Sequence, residues 1–236
     1  MNLENVVQES YAFAKHYMSQ THVPGHGWWH AENVYKLGKI IADSEPDANY
    51  YLVEISCLLH ELGRIHEYLN KNDEINHSLA SRKIAEIFLA KSGVLSKAEL
   101  NIILTNISEH SIKGKPTYIE GRILQDADKL DGMGAVGLLR IISSESYNGL
   151  KEFDPYTPFG PDFIDGDIKK YIKQRINPDS TDGLRTNEFI IEHMIGREMQ
   201  WINMLWTKKG KEMAMDKFSF MEKFLYQFKL EMDVIS

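Results

Sequence analysis

The stretch Leu58-Leu59-His60-Glu61-Leu62-Gly63-Arg64 sets a histidine and a carboxylate side by side at the close of an apolar run. Adjacent ligand-type residues reach one metal ion only where a helix end or a turn splays them toward the same point. Gly63, two residues after Glu61, is a natural helix C-cap and predicts that end here. A His-Glu pair at a helix end also serves plain capping and solvation. The choice therefore rests on whether other histidines and carboxylates fall on core-facing helix positions.

Upstream, Pro46 is expected to open the helix over 47–62. Its residues Leu52, Val53, Ile55, Cys57, Leu58 and Leu59 leave little polar face, which predicts the central, most buried helix. His60 follows Cys57 by three and so points inward. Two amphipathic helices are expected before it, over 3–18 (Val6, Val7, Tyr11, Ala14, Tyr17) and 28–42 (Val34, Leu37, Ile41). His30 precedes Val34 by four and shares its inward stripe, where a buried imidazole needs a hydrogen-bond partner or a metal.

Downstream, the spacing predicts a helix over 76–91 (Leu79, Ile84, Ile87, Phe88) with His77 in its first turn. The next, over 96–111, opens on Ser96 with Glu99 three residues later, a capping box, and places Ile103, Ile107 and His110 on one stripe. In the helix over 119–130, Asp128 and Asp131 fall four and seven residues after Leu124, so two carboxylates share a stripe that begins apolar. Residues 133–142 read as helical and well buried.

Residues 143–185 break the pattern. Prolines and glycines dominate this loop-rich excursion, whose only weak helix covers 168–175. Tyr156, Phe159 and Phe163 are candidates for stacking on a base there, and Lys169, Lys170 and Arg175 for meeting phosphate. Closing helices are expected over 186–205 and 208–232, the second with Met213, Phe220, Phe224 and Phe228 as a core stripe. No strand pattern emerges. The expected fold class is all-α: a single compact helical bundle of about eight or nine helices forming one domain over 1–236.

Composition narrows the function classes. The 236 residues are 43% apolar and 26% charged, ordinary for a globular protein. Net charge is -7, from 34 acidic against 27 basic residues, which argues against a broad grip on a nucleic-acid polymer or an anionic membrane. Cys57 is the only cysteine, so no disulfide framework or thiolate cluster exists. With no leader pattern at Met1 and no apolar run near 18 residues, the expected location is cytoplasmic.

Inward or helix-end ligand candidates are His30, His60, Glu61, His77, His110, Asp126, Asp128 and Asp131. A mixed histidine and carboxylate set suits a divalent metal ion, among Mn, Fe, Co, Ni, Zn and Mg. A zinc-peptidase reading of His60-Glu61 fails, because it needs a histidine at position 64, which is arginine.

The ordered set His30, His60-Glu61, His77, His110-Ser111 and Asp126-Ala127-Asp128-Lys129-Leu130-Asp131 resembles the HD-domain metal-dependent phosphohydrolases, in their small bacterial single-domain branch. Glu192-His193-Met194 and the run to Phe228 resemble that branch's closing helices. The resemblance implies metal ligands at His30, His60, Glu61 and Asp128, with Asp126 competing for the last place. It implies a cleft lined by His77 and His110, and phosphate-gripping roles for Lys129 and Arg140. The function implied is hydrolysis of a phosphate ester or anhydride of a nucleotide-like small molecule by a metal-activated water, with Glu61, His77, His110 and Lys129 as the catalytic set. A small phosphorylated substrate is the expected partner, and a homodimer is allowed.

Two departures bear on turnover. The family pair is His-Asp, whereas Glu61 carries its carboxylate about 1.5 Å further out. Gly27 stands where relatives carry an acidic residue. A catalytically weakened nucleotide- or metal-binding module is accordingly the alternative.

Overall fold

The computed structural model describes residues 2–70, 75–111, 114–160, 163, 166–176 and 188–235. Among these the protein is all-α, with one isolated bridge between Lys151 and Phe189 in place of any sheet. The chain divides into two compact units, Met1–Asp128 and Lys129–Ser236.

The first unit is built on α3 (Tyr50–Leu59), every residue of which from Leu52 onward is buried. It packs against α1 (Leu3–Met18), α2 (Trp28–Ala42), α5 (His77–Leu89) and α6 (Lys97–Glu109). Val6, Ala14, Ala31, Leu52, Ile55, Leu58, Leu62, Ile103 and Ile107 share one core. The approach of α2 to α3 is close enough that a Cβ on Gly38 would lie 2.7 Å from Cys57 Sγ. Ser96 and Glu99 form the expected capping box of α6.

Four features of the first unit differ from expectation. Helix α3 begins at Tyr50 rather than near 47: Glu45 to Ala48 make a turn, and Asn49 caps the helix while its N–H donates to Glu120 Oε1 at 2.9 Å. A short helix α4 (Arg64–Leu69) follows α3 without a sequence signal of its own. Gly63 is the N-cap of α4, at φ -73°, and not a left-handed C-cap of α3. Its need for glycine is spatial: a Cβ there would lie 2.3 Å from His77 O and 2.6 Å from Ser81 N. Lastly, Leu79 and Ile87 of α5 are exposed, so that helix buries Ser78, Ser81, Ala85 and Leu89 instead.

Helix α7 (Ile119–Asp131) runs through the boundary between the units. The second unit continues with α8 (Gly134–Tyr147), α9 (Ile168–Arg175), α10 (Ile190–His193), a π-helical turn Met194–Glu198, a 3-10 turn Met199–Asn203 and α11 (Lys208–Ile235). Helix α8 is not the well-buried element expected: Leu139 is 71% exposed and Ile142 is also exposed, while Gly137, Ile141, Ser144 and Glu145 face in. The predicted closing helix over 186–205 is realised from Ile190 as three short segments of different winding, and 186–187 lie outside the described residues. In α11 the buried stripe is Ala214, Met221, Leu225 and Met232, with Phe220 exposed.

The excursion begins after α8, at about residue 148. Phe159 is buried, packs on Phe163 and Phe228, and its carbonyl accepts from Tyr171 Oη at 2.7 Å. The Phe159 ring is core, not a base-stacking platform, and Phe163 is half-buried against it; Tyr156, by contrast, is 93% exposed. Of the excursion, 161–162, 164–165 and 177–185 lie outside the described residues.

Candidate functional site

Five helices and one turn bring polar side chains together in the first unit. Residue His30 comes from the first turn of α2, His60 is the C-cap of α3, and Glu61 lies in the turn before α4. His77 opens α5, His110 is the C-cap of α6, and Asp128 sits on α7. Helix ends dominate because a histidine there can turn back on the last carbonyls of its own helix. His60 Nδ1 donates to Cys57 O at 2.8 Å and His110 Nδ1 donates to Ile107 O at 2.6 Å.

Those bonds fix what the other nitrogens offer. A carbonyl only accepts, so Nδ1 of His60 carries the hydrogen and Nε2 presents a lone pair. That Nε2 is buried and without a hydrogen-bond partner among the described residues. Burial, with His110 beside it, lowers His60 to about 4, so the ring is neutral at pH 7.

His30 Nε2 lies 3.4 Å from Asp128 Oδ1. Ring centroids of His30 and His60 are 5.3 Å apart, and those of His60 and His110 5.0 Å. Ligand atoms fall within 4.8 Å of one another in three groups: His30, His60 and Glu61; His60, His110 and Asp128; and Glu61, His77 and His110. Asp128 therefore stands among the imidazoles, while Asp126 is fully buried and joins none of these groups. An unpartnered lone pair facing carboxylates and imidazoles is the donor set of a first-row divalent ion. The residues present fit such an ion.

The carboxylates are held ionised. Burial pushes Glu61 up, but Arg64, the His110 hydrogen bond and His77 outweigh it and bring the group well below the usual carboxylate range. Burial also pushes Asp128 up, and His30 and His60 bring it down. Arg64 grips Glu61 with Nε to Oε2 at 3.0 Å and Nη2 to Oε1 at 3.3 Å. The same Nη2 reaches His77 Nε2 at 3.0 Å, and Nη1 bonds Glu67. From α7, Gln125 Nε2 donates to the carbonyls of Glu109, Ser111 and Gly114, tying the end of α6 and its following loop to the helix that carries Asp128.

Two site residues escaped the sequence reading. Arg64 entered it only as the wrong residue for a zinc peptidase, although an i, i+3 carboxylate and guanidinium around a helix start signal a pair. His26 lies in the loop before α2, edge-on to His30 at 5.7 Å between centroids, and helps lower Glu61. Lys129 and Arg140 lie in the second unit. Lys129 is buried, and Arg140 Nη1 bonds Asp131 Oδ2 at 2.8 Å. Gly27 caps α2 without a side-chain hydrogen bond.

Residues 28–133 match the HD domain family, which bears out over that span the resemblance carried by His30, His60-Glu61 and the Asp128 segment. The uncharacterised protein YpgQ of Bacillus subtilis is 30% identical over 119 residues, spanning 49% of this chain and 55% of that protein. Among solved structures, one from Lactobacillus plantarum covers 98% of both chains at 21% identity, with a TM-score of 0.72. An HD-superfamily hydrolase from Bacillus thuringiensis covers 98% of both at 22% identity and 0.67. Bacillus subtilis YpgQ in complex with ADP covers 98% of this chain and 97% of its own at 19% identity and 0.66. These likenesses place the all-α fold.

Proposed function

From the HD domain at residues 28–133, we propose that the protein is a metal-dependent phosphohydrolase acting on a phosphate ester or anhydride bond of a nucleotide-like small molecule. The observation that carries this reading is the buried, unpartnered lone pair of His60 Nε2 among His30, Glu61 and Asp128. These four side chains would hold one divalent ion. Such an ion supplies a water of lowered pKa and neutralises charge developing on a phosphoryl oxygen.

The chain's own residues do the rest. The Cys57 carbonyl fixes the tautomer and plane of His60, which keeps the lone pair aimed inward. Arg64 fixes the rotamer of Glu61, absorbing the extra methylene of the His-Glu pair. His110, and His77 beside it, line the same place as Glu61, with ligand atoms within 4.8 Å of its carboxylate. The ADP bound by the Bacillus subtilis relative supports a nucleotide as the substrate class. Lys129 begins the second unit and is left out of this set.

The test is release of phosphate and pyrophosphate over a nucleotide panel with Mn²⁺, Co²⁺, Ni²⁺ or Mg²⁺, with chelator and His60→Ala as controls. Metal-dependent release that His60→Ala abolishes is expected. The hold of Arg64 on both Glu61 oxygens favours a second reading, a binding module of weakened catalysis. Calorimetric nucleotide binding without any product would select it.

A further inference from the structure

We infer that the guanidinium of Arg64 is the resident cation of the subsite formed by Glu61, His77 and His110, so that this protein holds one metal ion where its ligand groups outline two. The inference rests on the metal-binding reading above.

The three ligand groups fall into two overlapping places. One is centred on His60, with His30, Glu61, His110 and Asp128 around it. The other consists of Glu61, His77 and His110. A second ion there would need Glu61 Oε1 and the lone pair of His77 Nε2. Both are already engaged by one nitrogen, Arg64 Nη2, at 3.3 and 3.0 Å. With Nε on Glu61 Oε2 and Nη1 on Glu67, four of the five guanidinium N–H donors are spent inside this subsite. Only His110 Nε2, 3.4 Å from Glu61 Oε1, remains, and it already belongs to the place around His60.

Charge leads to the same count. Glu61, Glu67 and Asp128 bring three negative charges and Arg64 one positive, leaving two with the imidazoles taken as neutral. One divalent ion cancels that remainder, and a second would stand beside the permanent cation of Arg64. Arginine keeps its charge at any pH at which the protein folds, so only removing the side chain vacates the subsite. His77 acts here as a positioning residue: Nε2 receives Arg64, and Nδ1 faces Glu67 Oε1 at 3.6 Å.

Manganese stoichiometry tests this directly, by equilibrium dialysis of the intact protein against Mn²⁺ alone, followed by elemental analysis and electron paramagnetic resonance. The unaltered protein is expected to hold one ion with an uncoupled spectrum. Arg64→Met is expected to hold two with the exchange-coupled spectrum of a close pair, and Arg64→Lys one. Two ions in the unaltered protein would overturn the inference whatever the variants do, as would one ion in folded Arg64→Met. No ion in the unaltered protein would overturn the metal reading itself, a different failure from a count of two.

Discussion

Gly63→Ala isolates packing from backbone conformation at the turn that carries Glu61. At φ -73° an alanine is accommodated without strain. The new Cβ, however, would lie 2.3 Å from His77 O, 2.6 Å from Ser81 N and 2.7 Å from Ala80 Cβ, where ordinary contact begins near 3.4 Å. Two of those three atoms are backbone of α5, which cannot rotate aside. Overpacking costs typically about 1–3 kcal/mol, and backbone obstacles put this case near 3. Alanine returns roughly 0.4–1 kcal/mol by restricting the unfolded chain. The expected net loss is about 2 kcal/mol, a fall in Tm of about 4–8 °C for a protein of this size. The shift also pulls on the hydrogen bond from Gly63 N to Ser81 Oγ, 2.8 Å long, and so on the register between Glu61 and His77. Mn²⁺ affinity should fall with stability. Gly93→Ala is the control: its φ of +62° makes alanine costly by about 1–2 kcal/mol, yet no atom lies within 4 Å and no candidate ligand is near in sequence. Differential scanning calorimetry and Mn²⁺ titration read both variants. A Gly63→Ala protein with unchanged Tm, or a Gly93→Ala protein that loses as much Mn²⁺ affinity, would show that packing against α5 does not set this turn.

Acid should destabilise the metal-free protein through His60. Its folded value of about 4 lies below an unfolded value of about 6.5, so the unfolded chain takes up the proton first. Stability is then level above pH 7 and drops by about 3 kcal/mol between roughly pH 6.5 and 4; urea unfolding in chelator, with His60→Gln lacking this component, checks the window. Glu61→Asp shortens the carboxylate and takes it out of reach of Arg64, so bound metal and turnover should both change; identical metal content and rate would show that Glu61 neither binds nor catalyses. We propose that both units form one domain, since α7 runs unbroken from Ile119 to Asp131 across their boundary. A single calorimetric transition, raised by Mn²⁺ as RT ln(1 + [Mn²⁺]/Kd), is expected, and two separable transitions would count against it.

Legibility in the sequence followed the length and periodicity of the elements. Helices α1, α2, α6 and α7 stand where apolar spacing and caps put them, since Val6, Val34, Ile103 and Leu124 mark inward faces over several turns. The six residues of α4 are too few to show a period, and Gly63 misled because its glycine serves an approach to α5 that is remote in sequence. Helix α8 misled in the opposite way: its run of Leu138, Leu139, Ile141 and Ile142 is apolar on all sides, but only one side is covered. The stripe positions put His30, His60 and His110 inward, but they put Asp128 and Asp131 on one stripe alike, and it was the family resemblance that selected Asp128, which the structure sets among the imidazoles. What no stripe could show was Arg64, whose importance lies in which atoms of Glu61 and His77 it engages.

The placement of the candidate ligands along the chain has a consequence for biogenesis. His30, His60, Glu61, His77, His110 and Asp128 all belong to the unit that ends at residue 128, so the set is complete before the second unit is translated. Metal capture can therefore occur on the nascent chain, and the ion, by binding only the folded form, would hold the first unit in place before the second has left the exit tunnel.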